Sequence, residues 1–504
     1  MAYRLSYSDY TAGAVPTTPG AANPPAPASG DEYRLAYSDY PGTAEGPPDP
    51  ARWVGPPGPP GPPGPVGPAG PGIGVVVPPG GSIQAVHDAL PATGGSIVLS
   101  PNTVYVVSAR ITLSKPNVRL SAQSWNTIVQ RAPGYTSDVL IQASGAGSIV
   151  EGFTIDGNSV VTTVMELGVA GNNSLVRNMQ IINGAGSGHL TLGGNNSRAT
   201  GNTITGLGTL LNTQRGYGIW AINHQTVMID HNTISGTGID GIGVDGDGSQ
   251  VIGNRVFGCH TYTGYSGGQI VTYPTSGGGV GNGIAVIGNT VGPGGSSYAH
   301  GIEAGAANML ISGNVVDGVG GYGILVISNG DTITGNFIHN VGSPTIDGIE
   351  ILAGVSDFVV AGNRIADDRS PAQMRAGIWV DAGASDRYSI VGNLVTPNSV
   401  GGIADQGTGQ NKTIGFNTGL DNAIPQINTA ATLTLPPNPV IFLLGAGTVT
   451  TMTTAGEAAG RIAILIGTGA ITFAAGTTIV GGGTVSAYVP VLAVCVGTQW
   501  YIKL

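Results

Sequence analysis

Charge is scarce in this chain: Asp, Glu, Lys and Arg make up only 9% of it, and the net charge is −10 with a pI near 5.0. No Lys/Arg cluster interrupts that acidity, so the electrostatic footprint of a nucleic-acid partner is missing and that class is excluded. Cysteine is almost absent. Cys259 and Cys495 lie far apart without ligand spacing, which argues against a disulfide framework or a zinc site and predicts two buried free thiols. No apolar run is long enough to cross a bilayer, so membrane insertion is not expected. The stretch Met1-Ala2-Tyr3-Arg4-Leu5-Ser6-Tyr7 lacks the apolar segment of a secretion signal. Seven histidines are scattered without a metal pattern. Asp245-Gly246-Asp247-Gly248-Ser249 resembles a calcium loop but lacks the later bidentate Glu, and reads as a plain turn. Neither a metal nor a cofactor is expected.

Glycine, by contrast, is abundant at 87 of 504 residues. That much glycine without general disorder points to tight turns repeated many times, as in solenoids, or to a period of three, as in collagen. Both patterns occur. Residues 1–54 are rich in Pro, Ala, Gly, Ser and Thr and bury too little apolar surface to order themselves. Within them Tyr3-Arg4-Leu5-Ser6-Tyr7-Ser8-Asp9-Tyr10 recurs as Tyr33-Arg34-Leu35-Ala36-Tyr37-Ser38-Asp39-Tyr40. Its alternation suits a strand added to the edge of a partner's sheet, so the repeat reads as a docking peptide used twice, or as a duplication with no role. Residues 55–72 place glycine at 55, 58, 61, 64, 67 and 70. Only glycine fits the axis of three wound polyproline chains, so this block predicts a homotrimer. A single-chain spacer would not need glycine at every third position.

From Ser82 the pattern is globular. Ser82 caps a short helix that stops at Pro91, and β-branched strands follow at 96–100, 103–107, 111–113 and 117–120. Further on, a Gly-Asn-x-aliphatic unit or a close variant recurs at Asn178, Asn202, Asn232, Asn254, Asn289, Asn314, Asn336, Asn363 and Asn393, with Asn417 as a degenerate copy. Successive spacings of 24, 30, 22, 35, 25, 22, 27, 30 and 24 residues suit one solenoid coil each. Between them runs a second unit, Gly-Ile-x, at Gly218, Gly241, Gly283, Gly301, Gly323, Gly348, Gly377 and Gly402. Two strands per coil therefore recur, with stacked Ile in the core and stacked Asn at a turn, where an amide bonds its neighbours and tolerates a left-handed backbone. The fold class is all-β: a right-handed parallel β-helix over 73–422, followed by a C-terminal β-domain over 423–504 whose alternation reads as antiparallel and sandwich-like.

The order of a capping helix, the strand pair in Gly94-Gly95-Ser96-Ile97-Val98-Leu99 to Val107 and the strand at Asn117-Val118-Arg119-Leu120 resembles pectate-lyase-like β-helix domains of phage tail spikes. The closing Val494-Cys495-Val496-Gly497-Thr498-Gln499-Trp500-Tyr501-Ile502-Lys503-Leu504 is similar to the ends of many tail-fibre and tail-spike proteins. The resemblance implies a virion protein that docks on a phage tail or baseplate protein through its N-terminal peptides and meets a host surface polysaccharide. It also implies a route to the cell surface without a secretion signal, through assembly and lysis. Such spikes often cleave their receptor, by hydrolysis or by lyase chemistry.

Side chains alternate along a strand, so the residue after each Ile of Gly-Ile-x faces outward. That column runs Trp220, Gly243, Ala285, Glu303, Leu325, Glu350, Trp379 and Ala404. Trp220 and Trp379 offer flat faces for sugar rings, or pack beneath loops or a neighbouring subunit. Glu303 and Glu350 stand two coils apart, with backbones separated by roughly 10 Å, so their carboxyls suit the ~6.5–9.5 Å of an inverting glycosidase. Asp347 is a third catalytic candidate, and Asp240 and Tyr322 are further substrate-binding ones; solvated acids on a polar face are the bland alternative. A lyase site would draw on His300, Tyr298, Tyr322, Arg364 and Arg375. Three functions remain open at this level: a depolymerising tail spike, a non-enzymatic receptor-binding adhesin, and a bacterial collagen-like surface protein.

Overall fold

The computed structural model describes residues 74–503 apart from 160–164, 185–187, 207–215, 222–225, 263–266, 275–281, 298, 397–400, 410, 419–425, 436–439, 455–461 and 497. The duplicated peptides, the collagen-like block and Tyr298 lie outside these residues. The one helix among them, Ile83–Ala89, starts where Ser82 Oγ accepts the Ala85 N–H at 3.1 Å. It ends at Leu90, ahead of a proline that cannot continue it.

After the helix every third strand pairs in parallel, which is the signature of a coil with three sides. Sheet A holds fourteen strands from Val75–Val77 to Lys412–Gly415. Sheet B holds twelve, from Val104–Val107 to Leu394–Val395, and sheet C twelve, from Ile111–Leu113 to Gly401–Gly407. In each coil the chain runs A, B, C and back to A. Inward-facing aliphatics from all three sides form one continuous core. On sheet C this core column is Ile219, Ile242, Ile270, Ile302, Ile324, Ile349 and Ile378, each fully buried. Each contributes on the order of 1.5–3 kcal/mol of burial.

The corner from A to B is held by asparagines. Asn202, Asn232, Asn254, Asn289, Asn314, Asn336, Asn363, Asn393 and Asn417 are all buried. Along the ladder each Nδ2 donates to the next Oδ1 at 2.8–3.0 Å, and that same Oδ1 accepts the backbone N–H of the preceding asparagine. Two expectations are corrected here. The left-handed backbone belongs to the residue before each asparagine, such as Gly201, His231, Gly253 and Gly392, and not to the asparagine itself. Asn178 occupies that outer position, with φ +53 and an exposed side chain, while Met179 takes the ladder place.

A third correction concerns Gly283-Ile284-Ala285. Ala285 pairs with Gln250 and Leu310 on sheet A, so it does not belong to the outward column of sheet C. The missing coil is supplied by Gln269-Ile270-Val271, where Val271 pairs with Gly243 and Glu303. The insertion that makes the spacing from Asn254 to Asn289 the longest one had disguised it.

Residues 426–503 form a separate set of three sheets, of six, two and three strands, around one core that includes Leu443, Phe473, Cys495 and Trp500. The alternation had suggested antiparallel pairing and a sandwich. Antiparallel pairs do occur, between Ile462–Gly467, Pro490–Val496 and Gln499–Lys503. Val440–Leu444 with Ile462–Gly467, Thr432–Leu435 with Thr451–Thr454 and Gly447–Val449 with Ile471–Phe473 pair in parallel. Period-two alternation reports one buried face and is blind to strand direction. Cys259 and Cys495 are free and buried.

Candidate functional site

Sheet C brings the sequence-derived candidates together in two neighbouring columns. The position after each core Ile carries Trp220, Gly243, Val271, Glu303, Leu325, Glu350 and Trp379 in strict register. Two residues before the core Ile stand Tyr217, Asp240, Gly268, His300, Tyr322 and Asp347. Residues three apart meet in two of these coils, where Tyr217 stacks on Trp220 and Asp347 adjoins Glu350. The outward column is not open to water as expected. Val271 (1%), Leu325 (6%) and Glu350 (2%) are covered, whereas Trp220, Glu303 and Trp379 are half-buried.

The acids divide into two groups. In the first, Asp240 is fully buried and accepts the Tyr273 phenol and the Gly268 N–H at 3.2 Å, with His260 Nδ1 at 3.6 Å. Glu303 lies near this group. Burial and then the Asp240 charge raise its pKa to about 7, and its Oε2 is buried without a hydrogen-bond partner. The same burial and the same anion push the Tyr273 phenol up. His300, stacked on Tyr322 at 5.1 Å, is lowered to about 4 by burial.

In the second group Arg375 Nη2 donates to both Asp347 and Glu350, the latter at 3.0 Å, and Arg375 Nε donates to Asp347 at 3.0 Å. Burial and the adjoining Asp347 carboxyl push Glu350 up strongly, against the pull of Arg375. Glu350 is thus held protonated at neutral pH. Arg375 lies 3.8 Å above the Trp379 ring, and Trp379 Nε1 donates to Asp381 at 3.1 Å. Trp220 is stacked on Tyr217 at 4.6 Å. Both tryptophans therefore have one face occupied already.

Of the lyase candidates, Arg364 sits on sheet B over the Phe337 ring, away from these columns. Tyr273 and His260 were missed because they lie outside both repeated units, in the coil whose Gly-Ile-x signature is replaced by Gln269-Ile270-Val271. A buried trio, Arg131, Glu166 and His189, was also missed; its bonds are 2.7 and 3.1 Å long. Glu166 and His189 directly precede core leucines, which is the one signal that would have found them. No group of three metal-ligating residues is present among the described residues.

No family model and no curated protein matches the chain. Among solved structures it is similar to the mannuronan C-5 epimerase AlgE6 A-module of Azotobacter vinelandii, at 16% identity and TM-score 0.50, over 67% of this chain and 93% of that one. It is equally similar to two variants of the tailspike protein of E. coli bacteriophage HK620 in complex with pentasaccharide. Their identities are 14% and 12%, with TM-score 0.50 and 76% of each chain covered in both cases. At such identities the likeness shows the fold. This chain has a tailspike-like right-handed parallel β-helix.

Proposed function

We propose that the chain is a phage tailspike that forms a homotrimer, docks on a tail or baseplate protein through its duplicated N-terminal peptides, and binds and hydrolyses a surface polysaccharide of the host. The fold supports the tailspike role, and the glycine period of residues 55–72 supports three chains. The observation that carries the enzymatic part is Glu303. A carboxylic acid near half protonation at neutral pH, half-buried and with one oxygen unpartnered, is what a glycosidic leaving group needs as its proton donor. Asp347, beside Glu350 and two coils from Glu303, supplies the opposing carboxylate; the Glu303 and Glu350 backbones stand roughly 10 Å apart, a spacing from which carboxyls reach the ~6.5–9.5 Å of inverting hydrolysis. Arg375 holds Asp347 and Glu350 in place, and the half-buried Trp220 and Trp379 flank the column for sugar contact. Asp240 and Tyr322 line the same sheet.

The test is incubation of the full chain with capsule and lipopolysaccharide from susceptible cells. Oligosaccharide release by the parent and its loss in Glu303→Gln, with binding kept, is the expected result. Binding without release in the parent would leave the adhesin reading in its place. Full release by both Glu303→Gln and Glu350→Gln would remove this pair from the chemistry.

A further inference from the structure

A second aromatic site lies at the opposite end of the helix from the acids in sequence. Along the A-to-B corner the turn is normally two residues: Gly152-Phe153 separates strands Ile149–Glu151 and Thr154–Asp156, and Asn178-Met179 separates Leu175–Arg177 and Gln180–Gly184. The coil before them is different. Residues 122–127 intervene between Val118–Ser121 and Ile128–Arg131, and this longer turn carries Trp125 outward across the next two corners.

Trp125 is 43% exposed, yet it is held firmly. Its indole Nε1 donates to the Asn178 carbonyl at 2.7 Å, and its own carbonyl accepts from Thr154 Oγ1 at 2.6 Å. Beside it opens a groove of about 530 Å³ lined by Arg119, Gln123, Ser124, Trp125, Glu151 and Asn178 among others. That volume falls within the ~300–1,000 Å³ typical of small-molecule sites. Its polar floor is also fixed, because Glu151 accepts Arg119 Nε and Arg177 Nε at 2.5 Å each. The contrast with the other described tryptophans is informative. Trp500 is core, Trp220 has Tyr217 against it and Trp379 has Arg375 against it, whereas no described ring or cation stacks on Trp125.

We infer that this groove is a second carbohydrate-binding site, in which a hexopyranose ring of a polysaccharide stacks on Trp125 and its hydroxyls bond Gln123, Ser124, Arg119 and Glu151. A rigid indole face removes most of the ordering cost of binding, and a rim of both donors and acceptors matches vicinal hydroxyls, each of which both donates and accepts. The choice of a polysaccharide as occupant rests on the function proposed above; the groove itself does not.

The test uses the full chain labelled with 5-fluorotryptophan, with the Trp125 resonance assigned by Trp125→Phe. The probe is oligosaccharide prepared by mild acid from capsule and lipopolysaccharide of susceptible cells. A saturable shift of the Trp125 signal is expected, together with about tenfold weaker binding by Trp125→Ala at an unchanged circular dichroism spectrum. Shifts confined to Trp220 or Trp379 would overturn this site and keep the sheet C reading. A shift at Trp125 alone would support the site and refute glycan binding on sheet C. Silence at all three would overturn both.

Discussion

Glu303 and Asp331 are both acids held protonated by burial, but they stand in different places. Glu303 faces outward beside Asp240, and with its pKa raised to about 7 the proton donor proposed above is loaded below that pH and empty above it. Turnover should therefore fall as pH rises through about 7, and Glu303→Gln should lower it by about 10²–10⁴ at pH 6 with the limb abolished, as reducing-end assays across pH would show. Asp331 lies buried at the C-to-A corner, where Oδ1 accepts the Met309 N–H at 2.8 Å and Oδ2 has no partner. Burial raises it from 3.8 to about 8. The unfolded chain loses this proton above pH 4 while the folded chain keeps it, so the folded state is favoured at low pH and loses that advantage as pH climbs to about 8. Asp331→Asn has no proton to lose. Its unfolding free energy should drop less between pH 4 and 8 than the parent's, by on the order of 1–3 kcal/mol in denaturant titrations, and equal slopes would contradict the assignment.

The asparagine ladder is the element that closes each coil, and its energetics follow from who is left unpaired. Replacing Asn314 by Ala strands one Asn289 side-chain N–H and the Asn289 backbone N–H in the interior, both of which donate to the Asn314 Oδ1. A buried unpaired donor costs about 1–3 kcal/mol, so Asn314→Ala should lose on the order of 3 kcal/mol in denaturant unfolding. Asn178 makes the opposite case. It sits exposed at φ +53, where most later coils carry glycine, so Asn178→Gly should change stability by less than about 0.5 kcal/mol. A large loss there would mean that the side chain does more than tolerate its backbone.

For the whole molecule the predictions concern assembly. Light scattering of the intact chain should give three times the mass of one chain, 50.3 kDa, because glycine at every third position is useful only when three chains wind together. A monomer would remove the trimer. Deleting residues 1–40 takes away both copies of the tyrosine-rich peptide and leaves the β-helix untouched. Such a chain should keep its trimer and its melting temperature but fail to enter particles, and normal incorporation would refute the docking role. The acidic, low-charge surface sets no electrostatic barrier to a neutral or basic glycan.

What the sequence determined by itself was everything that repeats. The buried Ile column, the asparagine ladder and the coil length are written once per coil, so their period survives any single irregularity, and they placed Trp220, Glu303, Glu350 and Trp379 in one outward column with Asp240 and Asp347 at the turns before it. What repeats only in space was left to the tertiary structure. It decided that Val271 and not Ala285 fills the column, since an insertion in that coil moves a local motif to another side. It decided the partners of the acids as well. Burial and then Asp240 raise Glu303, burial and then Asp347 raise Glu350 against the pull of Arg375, and neither Asp240 with Glu303 nor Arg375 with Glu350 is spaced in a way that a repeat announces. Trp125 is the clearest case: its value as a surface depends on a bond to Asn178 two coils away, and parallel stacking, which brings distant residues into register, is the physical reason that no local pattern contains it.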